Sequence, residues 1–292
     1  MIFRGSAVAL ITPFFEDGTV DFESLGKLIQ YHLENKTDAI VAIGTTGEAI
    51  TMTEEERLAV IKFCVEKINH KIPLIAGVGN NDTAESADFA KKASALNPDA
   101  ILVITPYYNK CNQEGLYRHF KTIAEASTVP VILYTVPSRT TVEIQPQTLK
   151  RLAEIKNIVG IKDATGNLGY TAKIKNILPD DFAIYCGNDD VTVPMLSMGA
   201  DGVISVSANI LPNETHEMCQ AFFDADIEKS RQMQLKYLDM INSLFAQTNP
   251  IPVKAAINLM GMNGGYYRLP LCEPSDETME LLKKNMKNLG LI

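Results

Sequence analysis

Ala100-Ile-Leu-Val-Ile-Thr105 is a short, uninterrupted run of aliphatic residues. A strand that is buried on both faces, as in a parallel sheet, has this pattern rather than an alternation of apolar and polar residues. Downstream of it, Gln113 to Ala126 carries apolar residues at helical spacing. Seven similar runs lie on either side of this pair: Ala7–Thr12, Ala39–Ile43, Leu74–Gly77, Val129–Val136, Ile158–Lys162, Phe182–Cys186 and Gly202–Val206.

The stretches between these runs also have helical patterns. Thr53-Glu-Glu-Glu56 has the shape of a capping box, and Asp82 is placed to begin another helix. Eight alternations of strand and helix predict right-handed βαβ crossovers and a closed (β/α)8 TIM barrel of the α/β class. An open doubly wound sheet, the other arrangement considered, more often has fewer strands and a glycine-rich first turn.

The 292 residues of the chain would fit either two domains or one large barrel. After the eighth strand and its helix, the chain from Asp226 onwards has helical patterns broken by prolines and glycines, with no linker rich in Gly or Ser before them. We therefore predict a barrel at residues 1–224 that contains the active site, followed by a C-terminal helical extension at residues 225–292.

The composition excludes several classes of partner. The chain has 27 Lys and Arg against 35 Asp and Glu, a net charge of −8 and no basic cluster, which argues against nucleic acid and anionic membranes. Five widely spaced cysteines indicate reduced thiols rather than a disulfide framework. No apolar run is long enough to span a membrane, and the N-terminal segment is interpreted as a first strand, so we expect a cytoplasmic protein.

The sequence lacks the common motifs for metal binding, nucleotide binding and serine-nucleophile catalysis. The four histidines have no metal-ligand spacing, and neither a phosphate-binding loop nor a dinucleotide-binding glycine motif occurs. A serine-nucleophile elbow of the G-x-S-x-G type is also absent.

If the chain is a barrel, its active site lies at the carboxyl ends of the strands. There, Lys162 is the only lysine inside a strand-like apolar run. Burial lowers the pKa of a lysine, and a neutral amine is what Schiff-base chemistry with a carbonyl substrate requires. The alternative is a strand-end lysine that reaches solvent or pairs with a carboxylate such as Asp163. Lys254 is the rival nucleophile, although it is predicted to lie outside the barrel at the start of a helix.

Other polar residues lie at or just after the carboxyl ends of the predicted strands, where they could bind a substrate or transfer protons. Tyr134 could move protons during imine formation, or be a buried tyrosine with a satisfied hydroxyl. Thr45 and Thr46 could hold a carboxylate or relay a proton, or simply form a tight turn. Arg139 could bind a substrate carboxylate, or be solvated. The pair Tyr107-Tyr108 is, by itself, more often packing than chemistry.

Five motifs in a fixed order are far more specific than any one of these residues. They are Gly-Thr-Thr-Gly-Glu at 44–48, Thr-Pro-Tyr-Tyr-Asn at 105–109, Tyr-x-Val-Pro-Ser-Arg-Thr at 134–140, Gly-Ile-Lys-Asp at 160–163 and Asn-Pro-Ile-Pro-Val-Lys at 249–254. Over essentially its whole length, the chain resembles the class I pyruvate-dependent aldolases of the dihydrodipicolinate synthase and N-acetylneuraminate lyase family.

The resemblance implies a role for each of eight residues. Lys162 would form the Schiff base with pyruvate, and Thr45, Tyr134 and Tyr108 would form a proton relay, with Tyr108 reaching into a neighbouring subunit. The substrate-binding residues would be Thr46 for the pyruvate carboxylate, Arg139 for the carboxylate of the aldehyde substrate, and Gly187 and Ile204 as pocket lining.

The implied reaction condenses pyruvate with L-aspartate 4-semialdehyde to 4-hydroxy-tetrahydrodipicolinate, the first committed step of the diaminopimelate and lysine pathway. It needs no metal or organic cofactor, and the family implies a homotetramer, a dimer of dimers. An aldolase for a sugar acid or sialic acid is the alternative, but Arg139 and the Thr45-Thr46 pair favour the synthase. A barrel without activity is a further alternative, which the intact reactive residues disfavour.

The chain departs from the family pattern at a few positions. Thr135 and Asn188 stand where Asn and Asp are frequent, which affects fine positioning rather than the reaction. Lysine-inhibited bacterial members tend to carry histidines after the Gly-Thr-Thr-Gly-Glu loop, whereas this chain has Ala49, Glu54 and Arg57. We therefore predict weak or absent feedback inhibition by lysine.

Overall fold

The computed structural model describes residues 1–292 and is a closed barrel of eight parallel strands that pair in chain order, with β8 closing onto β1. The predicted (β/α)8 barrel is therefore confirmed. The strands are β1 Gly5–Ala9, β2 Ala39–Ala42, β3 Leu74–Val78, β4 Ala100–Ile104, β5 Val131–Thr135, β6 Ile158–Asp163, β7 Ala183–Cys186 and β8 Gly202–Ser205.

Twelve α-helices accompany the strands, and none of them is long and apolar enough to cross a membrane. They are α1 Phe22–Glu34, α2 Glu54–Ile68, α3 Thr83–Ser94, α4 Gln113–Ala126, α5 Pro137–Thr140, α6 Pro146–Ala153, α7 Leu168–Ile177, α8 Thr192–Ser197, α9 Pro212–Phe223, α10 Ile227–Ser243, α11 Ile251–Leu259 and α12 Asp276–Leu289.

Several helices begin directly after a polar residue whose side chain caps the first turn. The side chain of Thr53 accepts a hydrogen bond from the Glu56 amide while the Glu56 carboxylate accepts one from the Thr53 amide, which is the predicted capping box of α2. Asp82 caps α3, as predicted, and Asn112 caps α4 in the same way. These caps satisfy amide groups that no residue within the helix can bond.

The first strand lies earlier than the sequence predicts. The apolar pattern places it at Ala7–Thr12, but β1 is Gly5–Ala9, and Ile11 and Thr12 make no hydrogen bond to a neighbouring strand. Ile11 and Thr12 remain fully buried, and polar groups of both find partners outside the sheet: the Ile11 amide donates to the Asn209 side chain and the Thr12 hydroxyl donates to the Gly47 carbonyl. Burial without sheet pairing gives the same apolar pattern as a strand.

Two apolar layers make up the core. The larger one lies between the strands and the surrounding helices, and the smaller one fills the barrel interior with side chains that alternate along the strands. Tyr134 and Ile204 belong to the interior layer. Lys162 is in register with Tyr134 on β5 and with Tyr185 on β7, so its side chain also points into the barrel.

The last three helices continue from the barrel without a break in packing. Helix α10 packs against α9 and α12, and α11 packs against α12. The division into a barrel at residues 1–224 and an extension at 225–292 stays a prediction. The contacts described below show, however, that this part of the chain reaches the barrel mouth.

Candidate active site

Lys162 is buried at the carboxyl end of β6. Only 6% of the residue is exposed, and its amine lies 4.6 Å from the centre of the Tyr134 ring. It does not pair with Asp163, because the carboxylate of that residue accepts hydrogen bonds from the hydroxyls of Thr165 and Thr171 instead. The alternative of a lysine that reaches solvent or pairs with Asp163 is therefore wrong.

The surroundings of Lys162 favour its neutral form. Burial lowers the pKa of Lys162 to about 8, although the negative charge of Asp189 acts in the opposite direction. The amine forms no ion pair that would hold a proton on it. A lysine with these properties can act as a nucleophile at a carbonyl carbon near neutral pH.

Tyr134 lies beside this amine. The residue is 7% exposed, and burial raises the pKa of its phenol, while the Arg139 charge and the Thr45 hydroxyl act to lower it. The Thr45 hydroxyl and the Arg139 guanidinium therefore lie close enough to Tyr134 to affect the protonation of its phenol. The phenol keeps its proton at neutral pH and can donate it to a neighbouring group.

The second threonine of the loop is held by a residue far away in the sequence. Asn249 donates a hydrogen bond from its side chain to the Thr46 hydroxyl at 3.0 Å, and its carbonyl accepts one from the Arg139 guanidinium at 3.0 Å. Asn249 thus joins the two residues that were predicted to bind carboxylates. Its motif was noted in the sequence, but this contact spans 203 positions and has no local signal.

Gly187 and Ile204 lie at the ends of β7 and β8. The Gly187 amide donates to the Asp163 carbonyl at 2.8 Å, and a Cβ atom at Gly187 would lie 2.6 Å from the Cβ of Ala164. Only glycine fits this close approach. Ile204 is 1% exposed and belongs to the interior layer. Both residues therefore lie on the barrel wall, and their predicted role in lining the pyruvate pocket stays a prediction.

Asp189 is a buried carboxylate that the sequence did not single out. One oxygen accepts hydrogen bonds from the amides of Val206 at 2.9 Å and Ser207 at 3.1 Å, whereas the other has no partner. Burial raises the pKa of this carboxyl. Gln234 of α10 donates to the Asp189 carbonyl at 3.0 Å and so fixes the loop. The only sequence signal was its place in the Gly-Asn-Asp-Asp loop after β7.

Tyr108 is the one predicted catalytic residue that this chain does not bring into the buried group. It is 90% exposed and its backbone has a φ of +72°. The neighbouring Tyr107 is half-buried. The predicted relay therefore lacks its third member within a single chain, and the expected contribution of Tyr108 to a neighbouring subunit stays a prediction.

Lys254, the rival nucleophile, is in the first turn of α11 and is fully buried. Its amine forms an ion pair with Glu48 at 2.7 Å and donates to the carbonyls of Thr12 and Tyr266. Glu48 lies two residues after Thr46 in the same loop. Lys254 therefore lies outside the strands of the barrel at the start of a helix, as predicted, but its amine reaches the loops that follow β1 and β2.

No three His, Cys, Asp or Glu side chains come together in an arrangement that could hold a metal ion. The chemical groups at the barrel mouth are a buried amine, a phenol, two hydroxyls and a guanidinium. A parallel barrel with such an amine at the end of β6 defines a class of enzyme that forms Schiff bases with carbonyl substrates.

Comparisons with known proteins agree with this class. Residues 2–289 match the model of the dihydrodipicolinate synthetase family, and the chain belongs to that family. It is 53% identical to a 4-hydroxy-tetrahydrodipicolinate synthase of Clostridium perfringens, with 100% of each chain covered. The family predicted from the sequence motifs is therefore confirmed.

Two solved structures are also similar to the chain. The dihydrodipicolinate synthase of Aquifex aeolicus has a TM-score of 0.97 at 44% identity, with 99% of each chain covered. The chloride-inhibited dihydrodipicolinate synthase of Acinetobacter baumannii, a complex with pyruvate, has a TM-score of 0.97 at 45% identity, with 100% of each chain covered.

Proposed function

We propose that the chain condenses pyruvate with L-aspartate 4-semialdehyde to 4-hydroxy-tetrahydrodipicolinate, in the first committed step of the diaminopimelate route to lysine. The observation that carries this proposal is the unpaired, buried amine of Lys162 beside the phenol of Tyr134. The full-length relative that is 53% identical bears the name of this synthase. The function and the enzyme class predicted from the sequence, a lyase with a class I aldolase mechanism, are confirmed by this relationship.

The reaction begins at Lys162. Its neutral amine attacks the ketone carbon of pyruvate, and loss of water gives an imine. The imine then loses a proton from the former methyl group and becomes an enamine, whose carbon attacks the aldehyde of L-aspartate 4-semialdehyde. The amine of that substrate finally attacks the imine carbon, which closes the ring and releases Lys162. No metal or organic cofactor takes part in these steps.

Proton transfer falls to the proposed relay. Tyr134 lies beside the amine of Lys162, and Thr45 influences the pKa of the Tyr134 phenol. The phenol is protonated at neutral pH, so it can donate to the departing water and recover a proton afterwards. Tyr108 is exposed on the free chain, and we propose that it completes the relay in a neighbouring subunit.

Two groups of donors would hold the substrate carboxylates. Thr46 and the amides of its loop would bind the pyruvate carboxylate, with Gly187 and Ile204 forming the wall. Arg139, which is anchored through Asn249, would bind the carboxylate of the aldehyde substrate. Local donors are needed because the chain as a whole has a net charge of −8 and repels anions.

The proposal includes an assembly and a location. A subunit that borrows Tyr108 from its neighbour must be at least dimeric, and we propose a homotetramer formed as a dimer of dimers. We also propose that the protein acts in the cytoplasm and binds neither nucleic acid nor membranes.

One experiment tests the mechanism and another separates the substrates. Borohydride reduction in the presence of pyruvate should leave a reduced adduct on Lys162 that mass spectrometry can locate. No adduct, or an adduct on Lys254, would refute the mechanism. Turnover of pyruvate with L-aspartate 4-semialdehyde should greatly exceed cleavage of sialic acid, and the reverse order would favour a sugar-acid aldolase.

A further inference from the structure

The ammonium group of Lys254 is a contact point for three segments of the chain. It pairs with the Glu48 carboxylate at 2.7 Å, in the loop after β2, and donates to the Thr12 carbonyl at 3.2 Å, after β1. It also donates to the carbonyl of Tyr266, which follows α11. The ring of Phe14 covers it at 4.7 Å. The three donors of the ammonium thus have three different partners.

Glu48 transmits this constraint to the Thr45-Thr46 loop. Its backbone is left-handed, with a φ of +56°, and its amide donates to the Thr45 carbonyl at 3.1 Å. Its second carboxylate oxygen accepts from the Arg268 amide at 3.4 Å. Glu48 lies two residues after Thr46 in a closed turn, so the contacts of its carboxylate restrict the backbone that carries both threonines.

Thr12 provides a second link between the same groups. Its carbonyl accepts from Lys254, and its hydroxyl donates to the Gly47 carbonyl at 2.8 Å. Thr12 is 1% exposed, so water does not compete for this hydrogen bond. The backbone between Thr46 and Glu48 is therefore held from two sides.

Stability alone does not account for such a pair. Removing two charges from water offsets much of their mutual attraction, so that well-packed apolar residues often stabilise a fold equally well. An ion pair with three directed hydrogen bonds does, however, fix the relative positions of the segments that it joins.

We propose that the Glu48–Lys254 pair is a positioning device that holds the Thr45-Thr46 loop in the geometry needed for pyruvate binding and proton transfer at Lys162. This inference rests on the proposed function, because the position of the loop matters only if pyruvate reacts there. Neither Glu48 nor Lys254 is a catalytic residue in this proposal, since both act through the loop.

The double variant Glu48→Gln, Lys254→Met tests the proposal, because it removes both charges and leaves neither one buried alone. We expect KM for pyruvate to rise about tenfold or more and kcat to fall about tenfold or more, since small displacements of reacting groups have effects on this scale. At saturating pyruvate, borohydride should still trap Lys162, because neither the amine nor the Tyr134 phenol beside it is substituted.

A milder variant, Thr12→Val, keeps the ion pair and removes only the hydroxyl that holds the Gly47 carbonyl. We expect KM for pyruvate to rise several-fold, and this variant decides the question if the double variant does not fold. Leu282→Ala is the control, because Leu282 is fully buried in α12 and its truncation lowers stability without a contact to the loop. Below its unfolding temperature, Leu282→Ala should keep KM for pyruvate and kcat within about twofold of the unmodified enzyme.

Different results would refute the positioning role of the Glu48–Lys254 pair and the proposed function of the enzyme. If the unmodified enzyme gives the Lys162 adduct but the folded variants keep KM for pyruvate and kcat within about twofold, the positioning role is overturned. Equal losses in Leu282→Ala would also overturn it, because the losses would then reflect stability. If the unmodified enzyme gives no adduct on Lys162, the proposed function fails and this inference fails with it.

Discussion

Two lysines of this molecule are buried close to the barrel mouth, and their surroundings differ in one decisive respect. Lys162 is 6% exposed and its amine faces a phenol ring without an ion-pair partner. Lys254 is fully buried, but its amine has a carboxylate and two carbonyls as partners. Burial lowers the pKa of both, while Glu48 opposes this directly at Lys254.

The comparison shows that burial alone does not make a lysine a nucleophile. The free amine is reactive, and an ammonium whose three protons are all donated is held in its charged form. Within one chain, the same residue type therefore supplies a reacting group at the end of β6 and a fixed structural charge in α11. The partners, rather than the depth of burial, decide between the two.

The largest expected effect comes from removing the free amine. Lys162→Met should reduce turnover by at least about 10³-fold, the scale of loss when a covalent nucleophile is removed. The fold should persist, because an apolar side chain replaces an unpaired buried amine. Steady-state turnover and circular dichroism measure the two effects. Lys156→Met, on the exposed turn before the same strand, should keep full activity.

Tyr134→Phe should produce the next largest loss. Without the phenol, proton transfer at the imine depends on water, so kcat should fall by about 10²- to 10⁴-fold, while the borohydride adduct on Lys162 still forms. Tyr185→Phe is a matched control, because Tyr185 flanks Lys162 on β7 but its hydroxyl donates to the Phe3 carbonyl at 3.0 Å. Similar losses of kcat in both variants would contradict the assignment of the relay to Tyr134.

Breaking the Glu48–Lys254 ion pair should lower the stability of the fold. Lys254→Met leaves the Glu48 carboxylate buried without its partner, which should destabilise the fold by about 3–5 kcal/mol. Denaturant unfolding measures this loss. Lys27→Met removes an exposed surface pair with Glu23 and should leave the unfolding free energy nearly unchanged. A small effect of Lys254→Met would show that the two lysines are more alike than the structure indicates.

A smaller effect should appear in the pH dependence. The reactive form of Lys162 is the neutral amine, so kcat/KM for pyruvate should rise with pH and level off above about 8. The charge of Asp189 raises the pKa of Lys162, so Asp189→Asn should move this rise to lower pH. Asp190→Asn, at the exposed neighbouring position, should leave the profile unchanged. A shift to higher pH in Asp189→Asn would disprove the electrostatic role of Asp189.

The smallest expected effect is the inhibition of the enzyme by L-lysine, which depends on Arg57. Its guanidinium lies 3.8 Å from the Glu85 carboxylate and 4.2 Å from the centre of the Phe89 ring. Arg57 stands among the positions where lysine-inhibited family members tend to carry histidines, and it already pairs with Glu85, so added L-lysine should inhibit weakly or not at all. An inhibition curve in the condensation assay tests this, and half-maximal inhibition at sub-millimolar lysine would contradict it. Arg57→Ala frees Glu85 and should increase sensitivity slightly.

Much of the fold was predictable because each strand and helix has a local pattern. The eight apolar runs correspond to the eight strands, and the caps at Thr53 and Asp82 mark two helix starts correctly. The error at β1 arose because Ile11 and Thr12 are buried although their hydrogen bonds go to Asn209 and Gly47 rather than to a neighbouring strand. An apolar pattern indicates that residues are buried, but it does not show whether a neighbouring strand or another part of the chain covers them.

The site was predictable in a different way. Lys162 and Tyr134 lie near the carboxyl ends of predicted strands and Arg139 follows one, and barrel topology alone places such residues at one rim. Asp189 and Asn249 were missed as site residues because each acts through contacts with chain segments that are distant in sequence, such as the link from Asn249 to Thr46. The importance of Glu48 was missed for the same reason.

The sequence by itself determined the alternating strands and helices, the placement of a lysine in an apolar strand and the motifs of the family. These follow from residue types and their spacing, which act locally along the chain. Only the tertiary structure decided which buried lysine is free and which is paired. A pKa depends on the charges and solvent that surround a group in space, and for Lys254 those are supplied by Glu48, 206 positions away.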